Sequence, residues 1–307
     1  RPLEGIKVVE FSHMVLGPSC GLILADLGAD VVKIEPAPGG DKTRLLPGSG
    51  SGFFGAFNRN KRSVAVNLKT PEGHKFATNL ILESDVLIEN FGTGVMDRLG
   101  LGYKAIQEIN PRLIYCALKG FLSGPYENRA ALDEVVQMMG GLAYMTGPKG
   151  RPLRAGASVN DLVGALFGTV AIQAALLERQ RTGEGTFVRS GLFESNMFLV
   201  ANHMVQYCQT GMPADPMPER EASWAVYDVF QTADDENVFV GVVSNKQWIE
   251  FCGAFSLQDL LGNKELSTNV QRVARREEFM PRLHKMFKTY NLSQVTKILE
   301  SFGLPFA

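Results

Sequence analysis

Apolar residues in the first 120 positions fall into short runs, separated by longer stretches of helical period. "IKVVEFS" (6–12) is rich in β-branched residues and reads as a strand covered on both faces. "GPSCGLILADLGA" (17–29) follows as a turn and helix, then "DVVKIEP" (30–36) as a second strand ended by Pro36. Two such strands and their helix make a right-handed parallel crossover of about 30 residues. Further strands are predicted at 63–68, 85–90 and 112–120. Between them lie helices over "TPEGHKFATNLILES", with Thr70 as cap and Pro71 at the first position, and over "GYKAIQEIN". This alternation predicts a large Rossmann-like, doubly wound α/β domain with a parallel sheet.

The pattern then lengthens. Residues 158–182 read as one long buried helix stopped by Gly183, followed by a strand "TFVRSGL" (186–192) and a helix over 193–209. Between Leu162 and Leu177 this helix has no ionisable side chain, and it opens on one charge, Asp161. Ser158 is the expected N-cap, with Asp161 at the third helical position, where backbone amides favour an ionised carboxylate. Gly164 and Gly168 leave gaps that a neighbouring backbone could enter. "TGMPADPMPERE" (210–221), rich in Pro and charge, reads as a linker. Beyond it, 225–243 predicts a β-hairpin with its tip at 233–236, and helices are expected around Lys246–Phe255, Val270–Tyr290 and Leu292–Phe302. The organisation expected is a large domain over 1–209, a linker over 210–221 and a smaller α+β domain over 222–307.

Composition narrows the function classes. A net charge of -1, with 45% hydrophobic and 21% charged residues, gives no reason to expect nucleic acid or a membrane surface as partner. The most apolar stretch, 161–177, starts on Asp161 and carries Gln173, so it is not expected to span a bilayer. No signal peptide is legible. Cys20, Cys116, Cys208 and Cys252 form no CxxC pair, and the four histidines form no HxxxH, so no metal site is expected. The thiols fit a reducing, cytoplasmic-type compartment. The turn after the first strand, Ser12–Pro18, lacks G-x-G-x-x-G, and neither a Walker A sequence nor G-x-S-x-G occurs.

Polar residues recur at the predicted C-terminal ends of the strands: Ser12-His13, Glu35, Asn67–Lys69, Glu89-Asn90 and Lys119-Gly120. That is where parallel α/β sheets hold ligands. Lys61, Arg62, Lys69, Arg98 and Lys119 offer cations to a phosphate-bearing ligand. His13 is either a general base or a hydrogen-bonded structural residue. These residues alone point to an enzyme-like α/β protein with a crevice for a phosphorylated ligand.

The blocks "PLEGIKVVEFSHMVLGPSCGLILADLGADVVKIEPAPGGDKTR", "FNRNKRSVAVNLKTPEG", "DVLIENFGTGVMDRLGLGY", "NPRLIYCALKGFLSGPY" and "ALLERQRTGEG" stand in an order and spacing that resembles the family III CoA-transferases. The resemblance covers essentially the whole chain. It implies that Asp161 is the nucleophile, attacking an acyl-CoA to form a mixed anhydride and then an aspartyl-CoA thioester. It implies CoA contacts from Val15, Leu16, Lys69, Asn90, Phe91, Gly92, Arg98, Asp133 and Glu134. CoA would act as substrate, with no permanently bound cofactor and with a small carboxylic or dicarboxylic acid as acceptor. Val15 stands where the formyl-CoA:oxalate branch has a glutamine, and Pro36 where it has an arginine. The glycine-rich small-domain loop of that branch has no counterpart either, so succinyl-CoA:dicarboxylate transferases are the nearer expectation. The related α-methylacyl-CoA racemases place a histidine before the residue matching Asp133. Here that residue is Leu132, which cannot accept a proton; this disfavours the two-base mechanism and leaves racemisation as the alternative, beside a catalytically silent acyl-CoA-binding protein. The resemblance further implies an interlocked homodimer, a return segment after Ala307, and a cytoplasmic or mitochondrial-matrix location.

Overall fold

Six strands form one wholly parallel sheet in the computed structural model, which describes residues 1–220 and 222–307. They are β1 (Lys7–Phe11), β2 (Asp30–Pro36), β3 (Arg62–Val66), β4 (Val86–Glu89), β5 (Ile114–Lys119) and β6 (Phe187–Gly191), in the order β3-β2-β1-β4-β5-β6. The connecting helices are α1 (Leu16–Asp26), α2 (Phe53–Asn58), α3 (Pro71–Leu82), α4 (Val95–Arg98), α5 (Tyr103–Ile109), α6 (Asp133–Met139), α7 (Leu142–Thr146), α8 (Val159–Thr182) and α9 (Leu192–Thr210). Strand side chains alternate between two cores. Val86 and Ile88 of β4 join Ile114, Cys116 and Leu118 of β5 on the face covered by α1 and α8. Leu87, Tyr115 and Ala117 join the opposite face, with Ala77 and Ile81 of α3 and Ile106 of α5. Helices on both faces of a parallel sheet make the fold doubly wound.

By length and composition α8 could cross a bilayer. Here its small residues Gly164, Ala165 and Gly168 lie buried with Ile172 and Ala175. A Cβ on Gly164 would come 2.9 Å from Leu16 Cδ1, and one on Gly168 2.7 Å from Leu118 Cδ2. The glycines therefore admit leucine side chains, where the sequence suggested a neighbouring backbone. At the far end of α8, Arg179 donates to the Asp85 carboxylate at 2.9 Å and to the Arg112 carbonyl at 3.1 Å.

The chain divides into two compact units, Arg1–Glu219 and Arg220–Ala307. The expected linker 210–221 ends on a residue outside those described, and α9 already occupies its first position. In the second unit β7 (Val226–Gln231) and β8 (Asn237–Val242) form the antiparallel hairpin. Phe230, Val238 and Val240 of the hairpin pack with Trp248 and Phe251 of α10 (Asn245–Ala254), Leu260 of α11 (Gln258–Gly262) and Val295 of α14 (Leu292–Ser301). The single helix expected over Val270–Tyr290 is two, α12 (Asn269–Ala274) and α13 (Arg276–Phe287). Arg275 between them leaves the helical region, at φ -113° and ψ 18°.

Beneath the C-terminal ends of β1 and β2 lies a buried charge network. Lys33 Nζ sits 3.4 Å from Glu10 Oε1 and 3.1 Å from Asp41 Oδ2, and donates to the Ser12 carbonyl at 2.6 Å. Lys61 Nζ sits 2.8 Å from Glu10 Oε2 and donates to the Pro18 carbonyl at 2.7 Å. The two lysine side chains are each 1% exposed. Two cations thus meet two carboxylates, and the sum is neutral. Lys61 is therefore not the free phosphate-binding cation that the sequence suggested. Burial lowers its pKa, against the opposing pull of Glu10. Arg62 is likewise engaged, 2.5 Å from Asp30 at the surface.

This network joins β1, β2 and the turn around Asp41, so removing Lys33 should strand the Asp41 carboxylate and leave Glu10 to Lys61 alone. Lys33→Met is expected to cost about 3–5 kcal/mol of stability, the usual effect of breaking a buried pair from one side. The urea unfolding midpoint, read by far-UV circular dichroism, checks this.

Candidate functional site

The chain crosses from β3, at one edge of the sheet, to β4, which pairs with β1 on the side away from β2. The result is a topological switch between β1 and β4. A crevice of about 780 Å³ opens at that point. Its walls come from the β1–α1 loop (13–16), the end of β4 (90–93), the end of β5 (118–120) and the segment 127–134. Asp161, Ser158 and Arg154 reach it from the N-terminal side of α8.

A helix leaves its first amides without intrahelical acceptors, and they need another partner. Ser158 occupies the cap position of α8, yet its side chain makes no capping bond. Asp133, from the start of α6, takes that place. Its Oδ1 accepts from the Asn160 amide at 2.7 Å and the Asp161 amide at 3.1 Å. Its Oδ2 accepts from the Gln137 side chain, one turn along α6. Gln137 in turn accepts from the Ala155 amide at 2.8 Å, and Asn196 of α9 donates to Asn160 at 3.3 Å. Gln137, Asn160 and Asn196 are fully buried. The Asp133 carboxylate is held from every side.

Asp161 stands beside this carboxylate without those amides. Burial pushes its pKa up, and the neighbouring Asp133 charge pushes it further, while Arg154 opposes both, leaving it at about 7. The third helical position does not keep Asp161 firmly ionised, contrary to expectation, because the amides that would do so are bound to Asp133. A carboxyl poised near neutrality in a crevice is a candidate nucleophile or base.

Around it the β1–α1 loop is tightly tied. Asn90 accepts from the His13 amide at 3.0 Å and donates to the His13 carbonyl at 2.9 Å. The His13 ring stacks on Phe91 with centroids 5.9 Å apart. Burial lowers the His13 pKa, with Asp41 opposing and Lys33 assisting, so the ring is neutral at pH 7. Met14 adopts a left-handed φ of 63° and is 37% exposed, which gives the loop its open apolar face. Lys119 is held by Glu89 at 2.5 Å and donates to the Phe91 carbonyl at 2.8 Å.

Of the residues singled out in the sequence, Val15, Leu16, Asn90, Phe91, Gly92, Asp133, Glu134 and Asp161 line this one crevice. Val15 and Leu16 are nearly buried and offer it little surface. Lys69 and Arg98 are exposed and do not line it. Asp133 faces inward as a cap, so it has little left to give a ligand. Sequence reasoning missed Arg154, Gln137, Asn160 and Asn196. The pair Asp133-Glu134 at the head of an apolar stretch was a legible helix start, whereas nothing local marked the partners of Asn160 and Asn196.

A sequence model of CoA-transferase family III matches residues 3–307. An acyl-CoA transferase of Fusarium pseudograminearum is 38% identical over 318 residues, spanning 99% of this chain and 70% of the relative. The succinyl-CoA:glutarate CoA-transferase of Homo sapiens is 34% identical over 312 residues, spanning 100% of this chain and 71% of the relative. A solved CAIB/BAIF family protein from Brucella suis is 34% identical and superposes with a TM-score of 0.85, covering 100% of this chain and 83% of that one. With the crevice at the switch point and a match running from end to end, the chain belongs to CoA-transferase family III.

Proposed function

We propose that the chain moves CoA from an acyl-CoA, such as succinyl-CoA, to a small carboxylic or dicarboxylic acid, with Asp161 as covalent nucleophile. The observation that carries this reading is the Asp161 carboxyl in the crevice, with a pKa pushed up to about 7 by burial and Asp133. Raising the pKa of a carboxylate raises its basicity, and with it its reactivity toward a thioester carbonyl.

In the proposed sequence an Asp161 oxygen attacks the thioester carbon, the C–S bond breaks, and CoA leaves as thiolate. The product is a mixed anhydride. The thiolate then attacks Cγ of Asp161, releasing the donor's free acid and forming an aspartyl-CoA thioester. The acceptor carboxylate attacks that thioester carbon and expels the thiolate again. Attack of the thiolate on the acceptor's acyl carbon forms the new acyl-CoA and restores Asp161. Protons are neither consumed nor released, and no water enters.

Asn90, Phe91 and Gly92 at the end of β4, with Val15 and Leu16 opposite, are the proposed walls for CoA. Lys69 and Arg98, exposed and not paired in an ion bridge among the described residues, are the proposed phosphate contacts. Leu132, 62% exposed at the cap of α6, offers no second base, which disfavours racemisation. A homodimer is proposed as the working state. Supporting it, Leu166 and Val170 of α8 and Phe198, Met204 and Val205 of α9 are exposed apolar side chains.

Incubation with an acyl-CoA followed by hydroxylamine should modify one peptide, the one holding Asp161. Asp161→Ala should abolish exchange while CoA still binds, and mass spectrometry of the labelled digest checks the position. A label on Asp133 or Glu134 would move the nucleophile elsewhere.

The reactive form is the deprotonated one, so kcat/KM for the acyl-CoA should rise with pH and level off above an apparent pKa of about 7. Asp133→Asn retains an oxygen for the two amides and removes the like charge. The profile of that variant should therefore shift toward lower pH, as pH-rate measurements would reveal.

Light scattering at micromolar concentration should return twice the chain mass. A monomer retaining exchange activity would exclude the dimer as the working state.

A further inference from the structure

We infer that Arg154 selects the acceptor: its guanidinium receives the distal carboxylate of a dicarboxylic acid whose other carboxylate meets the centre at Asp161. This deepens the CoA-transfer reading and rests on it. Arg154 lies in the segment between α7 and α8 and lines the same crevice as Asp161. Its Nε donates to the Ala155 carbonyl at 3.0 Å, which anchors the guanidinium against its own backbone. Its Nη1 meets the Glu134 carboxylate, and among the described residues Nη2 donates to nothing. Nη2 is thus free, and the Nη1–Nη2 edge becomes available when Glu134 gives way.

The ion pair with Glu134 is exchangeable. The Arg154 side chain is 40% exposed and that of Glu134 52%, so solvent screens the pair and little is lost on opening it. A ligand carboxylate that excludes water from the crevice gains a charge-assisted, two-toothed contact in its place. Glu134 already occupies part of that position with the same functional group.

Of the other charged groups along the crevice, Lys119 and Asp133 are held by close polar partners. Lys119 is bound to Glu89 and to the Phe91 carbonyl. Arg129 lies over the Tyr126 ring, 5.7 Å from its centroid. Asp133 is spent on the α8 amides. A dianionic acceptor approaching Asp161 meets the negative charges of Asp133 and Glu134, and Arg154 is the cation placed to offset them. In the acyl-transfer sequence Asp161 is a neutral thioester when the acceptor arrives. Its own charge does not then repel the attacking carboxylate.

In a ping-pong exchange the acceptor's kcat/KM does not depend on the donor, so one donor suffices to compare glutarate with valerate, the monocarboxylate of equal length. The glutarate-to-valerate ratio of kcat/KM should be high in the wild-type protein. In Arg154→Met it should fall by about tenfold to a hundredfold, the range of a lost hydrogen bond to a charged group. Arg154→Lys should recover part of the ratio. In Glu134→Gln, where the competing carboxylate is gone, the ratio should rise. That second variant keeps the test open if Arg154→Met does not fold. A ratio unchanged in both variants overturns the role of Arg154 and leaves CoA transfer standing, as does an equal loss for both acids. Absence of exchange in the wild-type protein with any donor and acid overturns the transfer reading, and this inference with it.

Discussion

The Asp133 carboxylate, accepting from the amides of Asn160 and Asp161, is the interaction on which the site depends. A helix start usually satisfies these donors with a side chain of its own cap residue. Here the acceptor comes from another helix, 28 residues earlier in the chain. It ties α6 to α8 and fixes the angle at which Asp161 enters the crevice. Gln137 and the Asn160–Asn196 contact then prevent Asp133 from turning away. With those amides taken and a second carboxylate alongside, Asp161 keeps only Arg154 to hold its pKa down. Burial raises the value first, and the carboxylate that anchors the helix raises it further.

The large unit handles buried charge in two opposite ways within one crevice region. Glu10, Asp41, Lys33 and Lys61 neutralise one another beneath the strand ends, where each carboxylate has a lysine. Burial works to raise Asp41, but its bonds from Thr43 and the charge of Lys33 hold it below the ordinary range. Burial likewise opposes ionisation of Glu35, and its bonds from Arg44, Ser63 and the Asp41 backbone outweigh it, leaving a pKa of about 2. Asp41 and Glu35 are held in their charged forms and serve the architecture. Asp161 has only Arg154 against burial and Asp133. Such a contrast between compensated and uncompensated charge is characteristic of the difference between scaffold and reactive group.

The central strands β1, β4 and β5 were legible because each is a short, buried run, from Val8-Val9 to Tyr115–Leu118, and such runs admit few other readings. Helices with strong local signals were equally clear: Thr70 before Pro71 caps α3, and Gly183 in the left-handed region ends α8. Short elements such as α2, α6 and α7 were missed, since one or two turns carry too little period to stand above a loop. Asp161 could be singled out as the one charge over residues 159–177, the apolar part of α8. Its pKa could not be foreseen from position alone, because burial and the proximity of Asp133 both come only from packing. Lys61 shows the same limit. In sequence it is one of several basic residues near strand ends, and only the fold reveals that Glu10 faces it across the core.

A carboxylate that exchanges acyl groups has to serve in both directions, as nucleophile on entry and as leaving group on exit. A strongly stabilised carboxylate would attack a thioester slowly, and a strongly basic one would be protonated at neutral pH and would leave its anhydride reluctantly. A pKa near 7 lies between these failures. The site reaches that balance by withholding stabilisation. The α8 amides serve Asp133, and the nearest cation is partly engaged by Glu134. Fixing the helix start with a neighbouring acid leaves Asp161 without those amides, so its carboxyl keeps a raised pKa. In the proposed exchange, structural capping and chemical activation are therefore two consequences of a single carboxylate's position.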